Sequence, residues 1–423
     1  MTRNEIVQPF RCDEALPIVT WNIPYDEACD NHISRTLGCS RPFLIISRSM
    51  SSTTDAVDRI SKALSSAHIA GIHRGMKPHT WYSEVLEISK EIEQSGADSV
   101  ITIGGGSIID GAKAAVFAVS NEVDTMQTMD DLFRMSHERL TRADGSSCPG
   151  VLSSELGLKP SAIPIVTVST TLSGGEYNHV GGATNDLTKL KQLFVDPALS
   201  GPRVIVLDPV LTLGVPQQVW LSTGMRAIDH CVESFCAKEV TTEASDTALA
   251  GLKLLIPALL RTAKDPKDLD ARLAAQRGAC ESMKGLCVYQ TPLGASHGIG
   301  HQLGPFGVPH AETSCILLPA VLKYNYSANY ERQAKLFAIM WEDTVVSEVL
   351  RKHSLSPGSS DLGDLLDAII CELELPRSLR RYRIGEDQLR SIAKNSLKDA
   401  MCRTNPIPIT TEEQVMAILE KCF

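Results

Sequence analysis

Short runs of apolar residues alternate with amphipathic segments over the first half of the chain. The runs lie at 42–49, 99–106, 162–171 and 203–209, and each ends in polar residues or glycine. Between the first two, residues 80–95 repeat their apolar positions with helical spacing. Continuous apolar strands that alternate with helices are typical of a mainly parallel sheet covered on both faces. The first half is therefore predicted to be an α/β domain.

Long helical periods replace this pattern in the second half, where strand signals are few. Apolar residues recur at helical spacing over 248–259, and Pro257 is expected to kink that helix. Thr410 and Thr411 precede two glutamates, which predicts the start of a last helix. The second half is therefore expected to be all-helical.

The change of pattern places a domain boundary near residue 214. The sequence predicts an α/β domain at 1–214 and an all-helical domain at 215–423. Residues 137–161 are polar and rich in serine and glycine, and they are expected to form a long surface loop.

Composition narrows the classes of function. The 423-residue chain has a net charge of -9 and a pI near 5.7, which argues against a nucleic-acid or anionic-membrane surface. No run approaches the roughly 20 apolar residues of a transmembrane helix, and the N-terminal residues lack the apolar segment of a signal peptide. The twelve cysteines are scattered, and several lie in apolar stretches, such as Cys231, Cys280 and Cys315. They are expected to be reduced core residues of a cytoplasmic protein.

Three consecutive glycines, Gly104, Gly105 and Gly106, follow a predicted strand and precede Ser107. Glycine lets the backbone turn sharply and approach a ligand closely, and the next helix presents N–H groups to a phosphate. This arrangement suits the pyrophosphate of a dinucleotide, although the spacing is not that of G-x-G-x-x-G. The alternative is a tight connection between strand and helix that binds no ligand.

The segment GGGSIIDGAKA resembles the GGGSxxDxAK signature of the iron-containing alcohol dehydrogenase superfamily, with Asp110 and Lys113 at its polar positions. The resemblance continues through TTLSGGEYN, which begins at Thr170 and Thr171, and through Lys191, which matches a family lysine near the cofactor. GMRAIDHCVESF, HGIGHQLGPFGVPHAETSCILLP and NPIPIT follow in the family's order. The resemblance implies a dinucleotide-binding first domain, with these residues and the glycine turn near the cofactor, and a catalytic second domain.

Within the superfamily the chain is most similar to maleylacetate reductases, whose patterns resemble its LSGGE, GMRAIDH and PHAETS segments. In metal-dependent members, a helix supplies aspartate and histidine four residues apart, and two later histidines complete the metal site. By position, Arg226 stands at that aspartate, and His230, His297 and His310 stand at the three histidines. His301 matches a histidine close to the nicotinamide and the reacting carbon.

An arginine at the ligand position argues against a tightly bound catalytic metal. Two positive charges about 4 Å apart repel by about 4 kcal/mol at an effective dielectric near 20, and arginine cannot deprotonate. Arg226 is therefore expected to replace the metal electrostatically by holding a substrate carboxylate or carbonyl oxygen. The alternative is a local ion pair of Arg226 with Asp229 or Glu233 on the same helix.

The residue after the first strand bears on the choice of nicotinamide. Many family members carry an acidic residue there, whereas this chain reads LIISRS, with Arg48 at that position between Ser47 and Ser49. A cation and two hydroxyls favour a 2′-phosphate, so NADPH is expected, with NADH as the alternative. Arg48 could instead be a solvated loop residue.

Together these features predict an NAD(P)H-dependent, metal-independent oxidoreductase that reduces an unsaturated oxo acid, with the cofactor between the two domains and His301 as proton donor. One alternative is an alcohol or aldehyde dehydrogenase that recruits a metal through three histidines. Another is a non-redox lyase or cyclase, which the glycine-rich segment GASHGIGH favours. The expected partners are a small-molecule substrate and, as is common in the family, a second copy in a homodimer.

Overall fold

The computed structural model describes residues 4–77, 79–137, 157–196 and 201–423. The chain divides into two compact units, Met1–Gly214 and Val215–Phe423. Most of the stretch at 137–161 that was interpreted as a surface loop lies outside the described residues.

The N-terminal unit is built on a mainly parallel sheet. Its described strands are β1 Ile6–Pro9, β2 Ile18–Trp21, β3 Pro42–Ile46, β4 Gly71–Arg74, β5 Ser99–Gly104, β6 Ile165–Ser169, β7 Val180–Thr184, β8 Lys191–Val195 and β9 Val204–Val206. Seven of them form one sheet in the order β1-β2-β9-β6-β5-β3-β4, in which only the pair of β1 and β2 is antiparallel. β7 and β8 form a separate antiparallel hairpin. The prediction of a mainly parallel sheet is confirmed.

Helices cover both faces of this sheet. They are α1 Tyr25–Asn31, α2 Arg48–Thr53, α3 Ala56–Ala63, α4 Tyr82–Ser95, α5 Gly106–Ser120 and α6 Met126–His137. In β3, Phe43 and Ile45 pack into an apolar cluster with α4, α5 and α6, whereas Leu44 and Ile46 pack into a second cluster with α1, α2 and α3. Successive side chains of a strand point to opposite faces, so each cluster covers one face.

The four strands predicted from apolar runs correspond to β3, β5, β6 and β9. The pattern missed β1, β2, β4 and β8, which have four or five residues each, because a run that short does not distinguish a strand from another segment. It also missed β7, which contains two glycines, a residue type that is depleted in strands.

The C-terminal unit is helical, and no strand occurs in 215–423, which the structure describes throughout. Its helices are α7 Gln217–Cys236, α8 Thr242–Lys264, α9 Leu269–Cys287, α10 Ala295–Gly300, α11 His310–Glu342, α12 Thr344–Lys352, α13 Leu362–Glu372, α14 Glu386–Ser396, α15 Ala400–Thr404 and α16 Glu412–Leu419. The prediction of a helical second half is confirmed.

Local features of these helices agree only partly with the expectations. Thr411 caps α16 by accepting a hydrogen bond from the Gln414 N–H, as its position before two glutamates predicted. The expected kink at Pro257 does not interrupt α8, whereas α11 contains a non-helical residue at Asn329. Every described helix is too short or too polar to cross a membrane.

The cysteines singled out from the sequence are core residues. Cys231, Cys280 and Cys315 are reduced and are buried. Burial is the ordinary environment of a reduced structural cysteine.

Candidate active site

The glycine turn connects β5 to α5 in the N-terminal unit. Gly104 ends β5, Gly105 precedes α5, and the Gly104 carbonyl accepts a hydrogen bond of 3.1 Å from the Thr170 N–H. A Cβ atom at Gly105 would lie 2.9 Å from Thr171 Cγ2, and one at Gly104 would lie 2.8 Å from Ile108 Cγ1. Side chains therefore do not fit in the turn, so close packing against Ile108 and Thr171 requires glycine at both positions.

Protein contacts already occupy the polar residues that follow the turn. Gly106 and Ser107 form the first turn of α5 and are half-buried. Asp110 accepts a hydrogen bond of 3.3 Å from the Gly182 N–H and pairs with Lys113 Nζ at 2.9 Å. The Lys113 ammonium also donates to the carbonyls of Gly175, Asn178 and Val180. Asp110 and Lys113 thus hold the segment at 175–182 against α5 and support the turn.

Arg48 and Lys191 are exposed cations of the same unit. Arg48 begins α2, which Ser47 caps by accepting a hydrogen bond from the Met50 N–H. Lys191 begins β8, and its side chain packs over Gly182, where an added Cβ would lie 2.4 Å from Lys191 Cε. Neither cation forms an ion pair with another residue that the structure describes, so both can meet an anionic ligand.

One face of α7 carries four ionisable side chains in the C-terminal unit. Arg226, Asp229, His230 and Glu233 lie three, four and seven residues apart, so they share a face of the helix. All four are buried, and Glu233 is the most exposed at 8%. Buried charges require hydrogen bonds or partners, so the contacts of these side chains define the site.

Hydroxyl groups of α11 bind Arg226. Its Nη1 donates to Thr313 Oγ1 at 3.3 Å and to Ser314 Oγ at 3.2 Å. The Ser314 hydroxyl in turn donates to Asp229 Oδ2 at 2.6 Å. Burial and the neighbouring Glu233 raise the pKa of Asp229, whereas the charge of Arg226 opposes that rise and favours the ionised carboxylate. Among the described residues Arg226 makes no direct ion pair with Asp229 or Glu233, which was the alternative expected from the sequence.

Glu233 links α7 to the N-terminus of α10. Its carboxylate accepts hydrogen bonds from the N–H groups of Gly294 at 2.9 Å and Ser296 at 2.8 Å, and His297 Nδ1 lies 2.7 Å from its Oε2. It therefore satisfies N–H groups at the start of the helix and fixes the orientation of the imidazole. Burial raises the pKa of Glu233, and the backbone hydrogen bonds oppose that shift.

His230 and His297 form a buried stacked pair whose ring centroids lie 4.7 Å apart. Burial lowers the pKa of both imidazoles well below its ordinary value, and the charge of Arg226 lowers it further. Both rings are therefore neutral at pH 7. Because His297 Nδ1 donates to Glu233, its Nε2 carries a lone pair, and no described residue is a partner of this atom or of His230 Nδ1.

His301 and His310 form a second pair, with nearly parallel rings 5.8 Å apart. His301 Nδ1 lies 2.8 Å from Asp399 Oδ2, and 32% of the His301 side chain is exposed. Asp399 also caps α15 by accepting a hydrogen bond from the Met401 N–H. Burial raises the pKa of Asp399, but the hydrogen bond with His301, together with smaller effects of other neighbours, outweighs that effect, and the pKa stays below its ordinary value. His301 is thus oriented by a carboxylate while its ring remains accessible.

The five predicted residues of the C-terminal unit lie together. The charge of Arg226 lowers the pKa of His230 and of His297, His301 also lowers the pKa of His297, and the His301 ring stacks on His310. Three residues that complete the cluster were not predicted: Ser296, Ser314 and Asp399. The two serines lie within segments that the sequence analysis singled out, Ser314 in PHAETS and Ser296 in GASHGIGH, and that position was the available signal for them. No local pattern indicated Asp399.

The cap that Glu233 forms on α10 predicts a change in stability. Replacing Glu233 with glutamine removes the charge and one acceptor from a site where three N–H groups converge, so we expect a loss of about 1–3 kcal/mol in the free energy of unfolding. Urea unfolding measures this loss, with Glu239→Gln as the control because Glu239 is exposed. Equal losses in the two variants would contradict the capping role.

Comparisons with known proteins cover both units. The model of the iron-containing alcohol dehydrogenase family matches residues 28–209, and the model of the C-terminal region of the Fe-containing alcohol dehydrogenase family matches residues 220–423. Together the two matches extend over most of the chain.

Two fungal relatives and a bacterial structure are similar along nearly their whole length. The dehydrogenase FUM7 of Gibberella moniliformis is 37% identical over 415 residues, which are 94% of each chain. The dehydrogenase ALT3 of Alternaria alternata is 38% identical over 400 residues, 90% of this chain and 98% of its own. The crystal structure of maleylacetate reductase from Agrobacterium tumefaciens superposes with a TM-score of 0.73 at 22% identity, over 100% of this chain and 98% of its own, which is a likeness of fold.

Proposed function

Because the chain belongs to the iron-containing alcohol dehydrogenase family and is an oxidoreductase, we propose that it reduces an unsaturated oxo acid with a nicotinamide cofactor and without a catalytic metal. The observation that carries the proposal is the buried guanidinium of Arg226, which lies beside His230 and His297 and is bound by hydroxyl groups.

Arg226 retains donors for a substrate. Nη1 is the donor of both of its hydrogen bonds to described residues, so the N–H groups of Nε and Nη2 have no acceptor among those residues. A guanidinium presents five N–H donors in a plane that matches a carboxylate. The free part of this fork supports binding of a substrate carboxylate or of the oxygen that becomes negative during reduction.

The donor set of the cluster does not fit a resident divalent metal. Asp229, Glu233 and His297 place potential ligand atoms within 4.8 Å of one another. Hydrogen bonds already engage both oxygens of Glu233, Nδ1 of His297 and Oδ2 of Asp229. A metal there would have to break these bonds and lie near the permanent charge of Arg226, which repels it.

The glycine turn fits a dinucleotide. Gly104–Ser107 would hold the pyrophosphate, and a bound reduced nicotinamide supplies a hydride for the substrate. The exposed Arg48 supports NADPH over NADH, because an unpaired cation after β3 attracts a 2′-phosphate. Thr170, Thr171 and Lys191 are proposed to contribute to the same site.

His301 is the proposed proton donor. Its Nδ1 is bound to Asp399, so its Nε2 is the nitrogen that remains to pass a proton to the substrate carbon or oxygen. The neutral His230 and His297 lack a proton that is easily lost, so they suit an orienting role.

A metal-dependent alcohol dehydrogenase is the second candidate function. One observation favours it: Nε2 of His297 and Nδ1 of His230 have no hydrogen-bond partner among the described residues. Imidazole nitrogens with a free lone pair are common metal ligands. The permanent charge of Arg226 is the argument against it.

Packing accounts for the glycines that suggested a non-redox enzyme. A Cβ atom at Gly298 would lie 2.9 Å from Cys402 Sγ, and one at Gly300 would lie 2.9 Å from Thr313 Oγ1. These residues let α10 pack closely against α15 and α11, so they need no altered reaction to explain them. A homodimer and a cytoplasmic location remain predictions.

Metal removal separates the two candidates. We expect the protein to oxidise NADPH in the presence of maleylacetate, at a rate that dialysis against EDTA leaves unchanged, and to use NADH less efficiently. The absorbance of the reduced nicotinamide and elemental analysis of the protein supply the readouts. Activity lost with EDTA and restored by zinc or iron would establish the metal-dependent function, and absence of turnover with either nicotinamide would contradict the proposed substrate class.

A further inference from the structure

Arg226 keeps a permanent charge although only 4% of the residue is exposed. A buried unpaired cation is strongly unfavourable, so a counter-charge must lie nearby. Asp229 is fully buried and lies three residues along the same helix, α7. No direct ion pair joins the two side chains in the described part of the chain, and the connection between them runs through α11.

The Ser314 hydroxyl makes this connection. It accepts a hydrogen bond of 3.2 Å from Arg226 Nη1 and donates one of 2.6 Å to Asp229 Oδ2. A hydroxyl has a single hydrogen, so donation to Asp229 directs its lone pairs to the guanidinium. Ser296 donates a second hydroxyl to the same oxygen at 2.7 Å. Two short bonds therefore fix Asp229 Oδ2 and, through Ser314, fix one end of the guanidinium.

This indirect pairing leaves most of the guanidinium free. A direct bidentate pair of arginine with a carboxylate uses two parallel N–H groups. Here the protein takes up only Nη1, and the second Asp229 oxygen, Oδ1, has no partner among the described residues although it is buried. A carboxylate whose task was only to join helices would be expected to have both oxygens satisfied.

We propose that Asp229 is a positioning residue of the substrate site: it supplies the counter-charge of Arg226 and, through Ser314, holds the guanidinium so that its remaining N–H groups bind a substrate carboxylate. The inference rests on the proposed function, because it takes Arg226 as the anchor of the substrate. Asp229 does not touch the substrate, and its effect passes through the serine.

Two variants of Ser314 test the bridge, one without the hydroxyl and one that keeps it but adds a buried methyl group. Ser314→Ala removes the hydroxyl, whereas Ser314→Thr keeps it. With maleate as a probe, measured by calorimetry without any turnover, we expect Ser314→Ala and Asp229→Asn each to weaken binding by about tenfold, since coupled neighbours affect a shared site. Ser314→Thr should retain the wild-type affinity. In an Arg226→Gln background, Asp229→Asn should cause no further loss.

The same substitutions in urea unfolding form a double-mutant cycle. We expect the midpoint shift of Arg226→Gln with Asp229→Asn to be smaller than the sum of the single shifts, because each single variant leaves one charge buried without its partner. A purely structural Asp229 would give additive shifts and equal maleate affinity in the two Ser314 variants. Either result overturns the inference.

Failure of the inference and failure of the proposed function are distinguishable. If the wild-type chain reduces maleylacetate and Asp229→Asn leaves its KM unchanged, the positioning role is wrong and the function stands. If the wild-type chain neither binds maleate nor reduces maleylacetate, the proposed substrate class is wrong, and the positioning role falls with it.

Discussion

Replacing Arg226 with alanine is expected to lower kcat/KM for maleylacetate reduction by about 10²–10³-fold, the usual cost of removing a donor that stabilises developing negative charge. The substitution removes the only permanent cation on the buried face of α7, together with N–H donors that have no acceptor among the described residues. The kcat/KM of Arg226→Lys should lie between those of the wild type and of Arg226→Ala, because lysine keeps the charge but lacks the planar fork. Initial rates of NADPH oxidation measure both effects.

The control for these variants is Arg390→Ala, because Arg390 is an exposed residue of α14. The unfolding midpoint in urea shows whether Arg226→Ala remains folded, since it leaves Asp229 buried without its counter-charge. A folded Arg226→Ala protein with the turnover of the control would remove Arg226 from the proposed mechanism.

Replacing His301 with alanine is expected to lower kcat by about 10²–10⁴-fold, the range typical of a positioned general acid. The effect should fall on kcat more than on KM, because His301 delivers a proton and does not anchor the substrate carboxylate. Asp399→Asn should cause a smaller loss of kcat, because the His301 ring then lacks the carboxylate that orients it.

His68→Ala is the matched control, since His68 is exposed in the N-terminal unit. A His301→Ala protein with unchanged kcat and pH profile would assign the proton transfer to another group.

The fold class could be predicted because its signal is local. The apolar runs that became β3, β5, β6 and β9 are continuous in the sequence, and the glycine turn directly follows one of them. The histidines were identified because they lie in motifs whose order resembles that of a known family.

The partners of these residues could not be predicted, because they are distant in the sequence. Asp229 receives hydroxyls from Ser296 and Ser314, 67 and 85 positions away, and His301 meets Asp399 across 98 positions. Spacing along a helix identifies which side chains of α7 share a face, but not which hydroxyl of another helix will reach them. One of the two interpretations of Arg226 from the sequence was therefore an ion pair within α7, where the structure has a bridge through α11.

The hydroxyl bridge between Arg226 and Asp229 also constrains how this protein can change over evolutionary time. A single exchange of Arg226 for aspartate, the residue that metal-dependent relatives are inferred to carry there, would place that new carboxylate beside Asp229 and Glu233 and remove the guanidinium, which leaves the metal-free chain with like charges together. Restoring an aspartate at 226 by one mutation would thus give a metal-free chain that is less stable than the present protein. The effect of a substitution at 226 therefore depends on the residue at 229, so the two positions form an epistatic pair.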